Sequence, residues 1–520
     1  MPSVITATVY IRPIAPTAPH TALVRLRNWL VSRTVIYLSG IGLGSTHCQL
    51  KRQSRPIATL TIRKMSTQQQ QLDYVERCLV YEIFKYFGSS VSLEGHRVEC
   101  SNGLDGFMSA LYTVELDLVS AERKRTEVVM VKFMKGSEEF REQSNSYIQF
   151  SNEVFAYCEI LPAYEHLLRT SHLSTEVVAN WVPRCYFAKF GMVDGLEGGG
   201  RESVLALKHL KGEGYQLGPR LTLRRDQLEA MVELIGPFHA LGYATKILQP
   251  QVHARLLSGI VDMSFISRSG KSSFDVLYRV AFDRFYEFYD RQKKQLLKNS
   301  DTGFDAAIER LRQKYFANPT HLLERIRTTS CAEDQLDSHF ATFLHGDYNR
   351  NNVLFHYGDN AKVDAIKTID FQELRFSTTA IDLSFFMYMN TPSDGREELF
   401  SYLLKKYHKS MIEMLDLVLH RNRDQLRDEQ VEQLLGDYSF KRFEAHFKRY
   451  AFYGVMVCMH FMPCLLASET DCAELSRLFD TDMHGPAFYQ LSLDIAGDAA
   501  NEEIFQIVRH AYEHGYMDEI

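Results

Sequence analysis

The run His345-Gly346-Asp347-Tyr348-Asn349-Arg350-Asn351-Asn352 sets an acid and an amide five positions apart in one polar loop. Apolar stretches flank it, with Ala341, Phe343 and Leu344 before and Val353, Leu354 and Phe355 after. Eighteen residues beyond Asn352 stands Asp370, within Ile369-Asp370-Phe371. This set suits phosphoryl transfer. One carboxylate orients an attacking hydroxyl and takes its proton, while an amide oxygen and a second carboxylate hold Mg²⁺ against a triphosphate. Mg²⁺ takes oxygen ligands, keeps several waters and shares itself with substrate phosphates. A single Asp in a loop is commonly a cap or turn residue. The step from Asp347 to Asn352, followed by an apolar-flanked Asp370, favours chemistry. Asp347 is therefore read as the base, and Asn352 and Asp370 as the metal ligands.

The H-G-D-x-x-x-N-N loop followed by Ile369-Asp370-Phe371-Gln372 resembles the insect ecdysteroid kinase-like (CHK-type) family. That family lies in the choline- and aminoglycoside-kinase branch of the protein-kinase-like fold. Gln372, where protein kinases carry Gly, is part of the likeness, as is Ala380-Ile381-Asp382-Leu383. The resemblance runs from about Val75 to the C-terminus and is strongest between His345 and Leu383. It implies an α+β, bilobal fold with a small antiparallel-sheet lobe and a larger helical lobe, using ATP and Mg²⁺. It also implies that His345 anchors the catalytic loop and that Asp382 accepts backbone N–H bonds from it.

These side chains need elements to position them. Val75, Cys78, Leu79, Tyr81, Ile83 and Phe84 recur at helical spacing, which predicts an opening helix over Tyr74–Phe87. Strands follow at Arg97–Cys100, Leu111–Leu116 and Val128–Phe133, with a turn at Glu122-Arg123-Lys124-Arg125. Between the first two strands, Gly103 and Gly106 sit where a kinase fold covers phosphates with backbone N–H groups. Two such glycines are also common hairpin residues; Ser109 adds support, because the family often carries Ser after this turn.

Lys132 stands alone in the apolar strand Val129–Phe133, a costly place for an ammonium without a partner. A strand Lys often snorkels to water. Here Glu153 is the expected partner, and the pair is read as gripping the α- and β-phosphates. Val182–Ala188 and Ser203–Leu207 are expected to form a hairpin, with Gly195–Gly200 as a flexible tip. The following Leu207-Lys208-His209-Leu210 replaces both acids of the family's L-E-D-L hinge with basic residues, which puts nucleotide preference in question.

Beyond about residue 212 the pattern is helical: Arg225–Tyr243, amphipathic stretches over 274–330, Leu399–Leu419 and a long apolar Phe440–Leu466. The organisation expected is a basic, disordered extension (1–72), a nucleotide-binding lobe (73–211) and a helical lobe with the catalytic loop and acceptor pocket (212–520). His239 reads as a packed structural residue. Phe282, Phe285, Tyr286, Phe288 and Tyr289 read first as a core-facing stripe, although an aromatic lobe also suits an apolar alcohol as acceptor. Arg350 has two equal readings, a phosphate contact or a solvent-facing side chain, and Asn351 has no assigned role.

With 520 residues, 45% hydrophobic, the chain can bury a large core. Its net charge is −6, yet the first 64 residues carry nine Lys or Arg and no acid. The acidic remainder argues against nucleic acid as a partner. Nine scattered cysteines without a C-x-x-C pair fit a reduced compartment and no zinc site. No stretch reaches the roughly 18 apolar residues of a membrane span. The basic N-terminal stretch has the composition of a mitochondrial transit peptide. The favoured reading is an upstream extension, with Met65 as the working start and a cytoplasmic location. Gly40–Gly44 resembles half a dinucleotide fingerprint but lacks a βαβ context, and Gln68–Gln71 reads as a disordered low-complexity run.

The function expected is phosphorylation of a hydroxyl on a small molecule, with an ecdysteroid or another apolar alcohol as acceptor. The alternative is a catalytically degenerate kinase-like binding protein, which the altered hinge and sparse glycines would favour. A protein kinase is a poorer match, lacking the Gly of D-F-G and any A-P-E segment.

Overall fold

The structure is a computed structural model describing residues 66–100, 109–121, 123–196, 200–266, 272–295, 301–329 and 338–520. The described residues belong to one compact unit, Met65–Ile520. Gly103, Gly106, the basic segment 1–64 with Gly40–Gly44, and the centre of the Gly195–Gly200 loop lie outside them.

Five strands form the first sheet: β1 (Ser92–Cys100), β2 (Ser109–Val119), β3 (Lys124–Met134), β4 (Cys185–Gly191) and β5 (Glu202–Lys208). Their order is β1-β2-β3-β5-β4, antiparallel throughout. Alternation explains the packing, since residues two apart share a face. Tyr112, Val114, Leu116 and Leu118 of β2 and Val129, Val131 and Phe133 of β3 are buried against Val75, Leu79, Val80 and Ile83 of the opening helical segment. Lys124 and Arg125 were expected in the turn, but both are paired in β3, opposite Val119 and Leu118.

The Gln68–Gln71 run is a correction. It lies in the helix Thr67–Tyr74, whose first turn is capped by Ser66 Oγ accepting the Gln69 N–H. Gln71 is buried, donating to the Met134 carbonyl (3.1 Å) and Glu202 (3.2 Å) and accepting from the Tyr112 hydroxyl (3.1 Å). Repetitive composition concealed one Gln with a specific buried network. Helix therefore begins at Thr67, ahead of the expected boundary at 73.

The rest is mainly helical, with the strands β6 (Gln216–Leu217), β7 (Ala341–Leu344), β8 (Val353–Tyr357), β9 (Val363–Thr368) and β10 (Arg375–Thr378) set among the helices. The stripe Phe282, Phe285, Tyr286, Phe288 and Tyr289 is 0–5% exposed and belongs to the core. It therefore gives no argument for an apolar acceptor. The expected Phe440–Leu466 helix is two, Phe440–Tyr450 and Phe452–Leu466, with a 48° bend at this break. Gly454 lies where the second packs on Ala380–Asn390, and a Cβ there would stand 2.3 Å from the Ser384 carbonyl carbon. Among the described residues no single helix is long and apolar enough to cross a membrane.

Candidate active site

Two antiparallel pairings build the site. β8 pairs with β9 so that Val353 faces Thr368, and the Ile369 N–H donates to the Asn352 carbonyl at 2.9 Å. Asn352 and Asp370, eighteen residues apart in the chain, thereby sit at the same end of one hairpin. β7 pairs with β10 so that Leu344 faces Arg375, which carries the 345–352 loop out beside Phe371–Glu373.

Asn352 Nδ2 donates to Asp347 Oδ2 (2.8 Å) and to the Asp347 carbonyl (2.9 Å). Asn349 Nδ2 donates to Asp347 Oδ1 (2.7 Å). Both carboxylate oxygens of Asp347 are thus held, and the side chain is half-buried. Burial first, then the neighbouring Asp370 and Glu373 carboxylates, raise its pKa well above the ordinary carboxyl range. A nearby divalent cation would reverse that electrostatic effect.

Across the cleft, Lys132 Nζ lies 2.9 Å from Glu153 and 2.9 Å from Asp370. Lys132 comes from β3 and Glu153 from the helix Ser146–Phe155. The ammonium also sits 5.3 Å from the centre of the Phe150 ring, a cation–π distance. Burial opposes the ammonium, but Asp370 and Glu153 outweigh it and raise its pKa. Burial likewise raises the Glu153 carboxyl, with Lys132 pulling the other way. Ser109 begins β2 opposite Met134, two residues along the strand from Leu111, which faces Lys132.

Asp370 holds a left-handed backbone, φ 68° and ψ 67°, a conformation Asp tolerates better than most residues. Its Oδ1 meets Lys132. The side-chain amide nitrogen of Asn352 is committed to Asp347, and none of its hydrogen bonds uses the carbonyl oxygen. One carboxylate and one amide oxygen are donors of the type a hard cation takes, so the residues fit Mg²⁺.

A buried frame supports the loop. Asp382, fully buried in the first turn of the helix Ala380–Asn390, accepts the N–H groups of His345 and Gly346 at 2.8 Å each. His239 Nε2 meets the same carboxylate at 3.2 Å, and its Nδ1 meets the Tyr407 hydroxyl at 2.9 Å. His239 is thus a packed structural residue. Burial lowers the His345 pKa, and its Nε2–H donates to the Ile369 carbonyl (3.0 Å). That bond ties the Asp347 loop to the backbone just before Asp370.

Gly346 has φ +84°, and a Cβ there would stand 1.8 Å from the Glu373 carbonyl oxygen. Gly346→Ala combines that backbone clash with a left-handed conformation costing about 1–2 kcal/mol for a residue with a Cβ. We expect the variant to lose soluble folded yield or to melt well below wild type by calorimetry.

Arg350 meets neither expectation. It is 3% exposed, and its guanidinium donates to Asn390 Oδ1 (2.8 Å) and to the Arg220 (2.6 Å) and Met389 carbonyls. It braces the loop against the end of the Ala380–Asn390 helix and is not a phosphate contact. Asn351 is exposed, its N–H donating to Asn349 Oδ1. At the hinge, the Lys208 ammonium is ion-paired with Glu213 and lies 3.8 Å from Glu127. Its charge is therefore compensated rather than presented bare to a nucleotide. His209 donates its backbone N–H to the Val128 carbonyl (2.9 Å).

Asn349 and Glu373 were missed from the sequence. Asn349, two residues past Asp347 in an Asp-x-Asn step, had a readable signal. Glu373 did not, since its neighbours Arg375 and Gln149 (2.7 Å) become partners only through folding.

No curated protein matches the chain. Among solved structures, macrolide 2'-phosphotransferase MphH from Brachybacterium faecium (apoenzyme) aligns with 78% of this chain and 98% of its own, at 9% identity and a TM-score of 0.26. The sequence model of the Ecdysteroid kinase-like family matches residues 103–420, well over half of the chain. With the α+β architecture and the loop geometry above, that match identifies the chain as a member of the ecdysteroid kinase-like family.

Proposed function

We propose that the protein transfers the γ-phosphoryl group of ATP, with Mg²⁺, to a hydroxyl of a small molecule. The observation that carries this reading is the continuity of the site. Lys132 joins Glu153 to Asp370, and Asn352 is held to Asp347, at one end of the β8–β9 hairpin. A binding protein has no need for all five.

Each residue has a task. Lys132, steadied by Glu153, neutralises phosphate oxygens. Asn352 and Asp370 would hold Mg²⁺, which when bound neutralises charge developing on the β- and γ-oxygens. Asp347, clamped by Asn349 and Asn352, orients the acceptor hydroxyl and accepts its proton as the new O–P bond forms. The bond to the β-phosphate oxygen breaks and ADP leaves. Ser109, with Gly103 and Gly106, is assigned to phosphate contact. The acceptor class, an ecdysteroid or another apolar alcohol, rests on family membership.

The test is a thermal titration of the full chain with ATP, with and without Mg²⁺. A native-state ligand at 100 times its Kd adds about 2.7 kcal/mol, so we expect a Mg²⁺-dependent rise of about 2–5 °C that is absent in Asp370→Ala. Asp370 is 31% exposed, but its left-handed backbone disfavours Ala, so the rise is read against the variant's own ligand-free midpoint. No rise at any ATP concentration would favour the degenerate binding protein, in which the altered Lys208-His209 hinge no longer admits nucleotide.

A further inference from the structure

Outside the phosphotransfer site, Glu397, His510 and His514 form the one cluster among the described residues whose ligand atoms all lie within 4.8 Å of one another. His510 and His514 are four apart on the helix Gly497–Glu513, hence on one face. Glu397 lies in the first turn of the helix Arg396–Arg421. Its carboxylate is 3.0 Å from His514 Nε2 and 3.9 Å from His510 Nε2. Zn²⁺ donors about 2.0–2.1 Å from the ion at tetrahedral angles sit about 3.3 Å apart, between these two separations.

The remaining ring atoms are already arranged for ligation. His514 Nδ1 lies 2.9 Å from the His510 carbonyl, a contact only a protonated Nδ1 satisfies, which leaves Nε2, 3.2 Å from Glu397 Oε1, as the nitrogen free to ligate once a metal displaces its proton. His510 Nδ1 lies 3.0 Å from the Tyr388 hydroxyl. Backbone-carbonyl and hydroxyl partners of this kind fix the orientation of metal-binding histidines. The second observation is His510 Nε2, a buried nitrogen with no hydrogen-bond partner on a ring only 7% exposed, facing Glu397 and His514. A buried polar atom left unpaired is costly, and a metal would satisfy it. The nearby Arg396 guanidinium does not repel an ion unopposed, being paired with Glu503.

We propose that Glu397, His510 and His514 bind one Zn²⁺ through two imidazole nitrogens and a carboxylate oxygen, with water as the fourth ligand. The site pins the C-terminal helix to the start of Arg396–Arg421. Through Tyr388 it reaches the helix that carries Asp382. Nitrogen ligands exclude Mg²⁺ as the natural occupant. The site is independent of phosphotransfer, and its test does not read activity.

The full chain, stripped with chelator, is titrated with Zn²⁺ alone by equilibrium dialysis and elemental analysis, and with Co²⁺ alone by visible absorption. We expect one Zn²⁺ per chain and the intense bands of four-coordinate Co²⁺. Tyr388→Phe should weaken Zn²⁺ about 10-fold, and His510→Ala or Glu397→Gln by about 100-fold or more, with loss of the bands. Glu397 is 77% exposed, so Glu397→Gln carries the test if His510→Ala does not fold. Failure of the wild type to bind Zn²⁺ overturns the proposal. So does binding of equal stoichiometry and affinity in Glu397→Gln, which would mean adventitious surface histidines.

Discussion

Asp347→Asn is expected to lower turnover by about 100- to 10,000-fold, the usual contribution of a positioned general base, with the fold intact. The substitution preserves shape but removes the carboxylate proposed to take the acceptor's proton. Stability effects nearly offset. An Asn amide would set an NH₂ against the Nδ2 donor of either Asn349 or Asn352, now 2.7 and 2.8 Å from the carboxylate. Against that, it removes a half-buried carboxylate crowded by Asp370 and Glu373, whose repulsion raises the Asp347 pKa. Phosphate transfer from labelled ATP, read beside the thermal midpoint, separates the two effects. Near wild-type turnover in the variant would remove Asp347 from the base role.

The second large effect is Asp382→Asn. This carboxylate is fully buried and accepts from two backbone N–H groups and a His ring. Asn keeps one acceptor oxygen and turns an NH₂ toward a buried donor. Removing one partner of such a network costs roughly 3–5 kcal/mol, to be read as a lower urea midpoint. Burial works against the Asp382 charge, but the bonds from His239 and the loop N–H groups outweigh it and hold its pKa below the ordinary value. A group depressed in the folded state stabilises the fold above its unfolded pKa, about 3.9, and loses that contribution as pH falls through the folded value. Wild type should therefore shed this stability below about pH 4, whereas Asp382→Asn, already lacking it, should show a flatter acid limb. A variant as stable as wild type at pH 7 would show that the loop does not depend on this carboxylate.

Residues whose partners lie close in the chain were legible without coordinates. Asp347 and Asn352 share one loop, so their spacing alone sets which side chains meet. Asp370 follows one short hairpin later, and antiparallel pairing returns it to the same end. Lys132, alone in an apolar strand, required a carboxylate, and Glu153 lay on the next long helix. Helical periodicity likewise exposed the aromatic stripe as core-facing.

Residues whose partners are distant in the chain became legible through folding alone. Arg350 read equally as a phosphate contact or a solvent-facing side chain, yet Asn390, Met389 and Arg220 draw it inward. Lys208 looked like an intrusion at the hinge until Glu213 and Glu127 were placed beside it. Gln71 looked disordered until Met134, Glu202 and Tyr112 supplied its bonds. Cysteine spacing could not show that Glu397 meets His510 and His514, which lie more than a hundred residues further along the chain. The physical reason is the same in each case. A polar side chain goes where its charge or hydrogen bonds are satisfied, and long-range packing decides which groups are there to satisfy them.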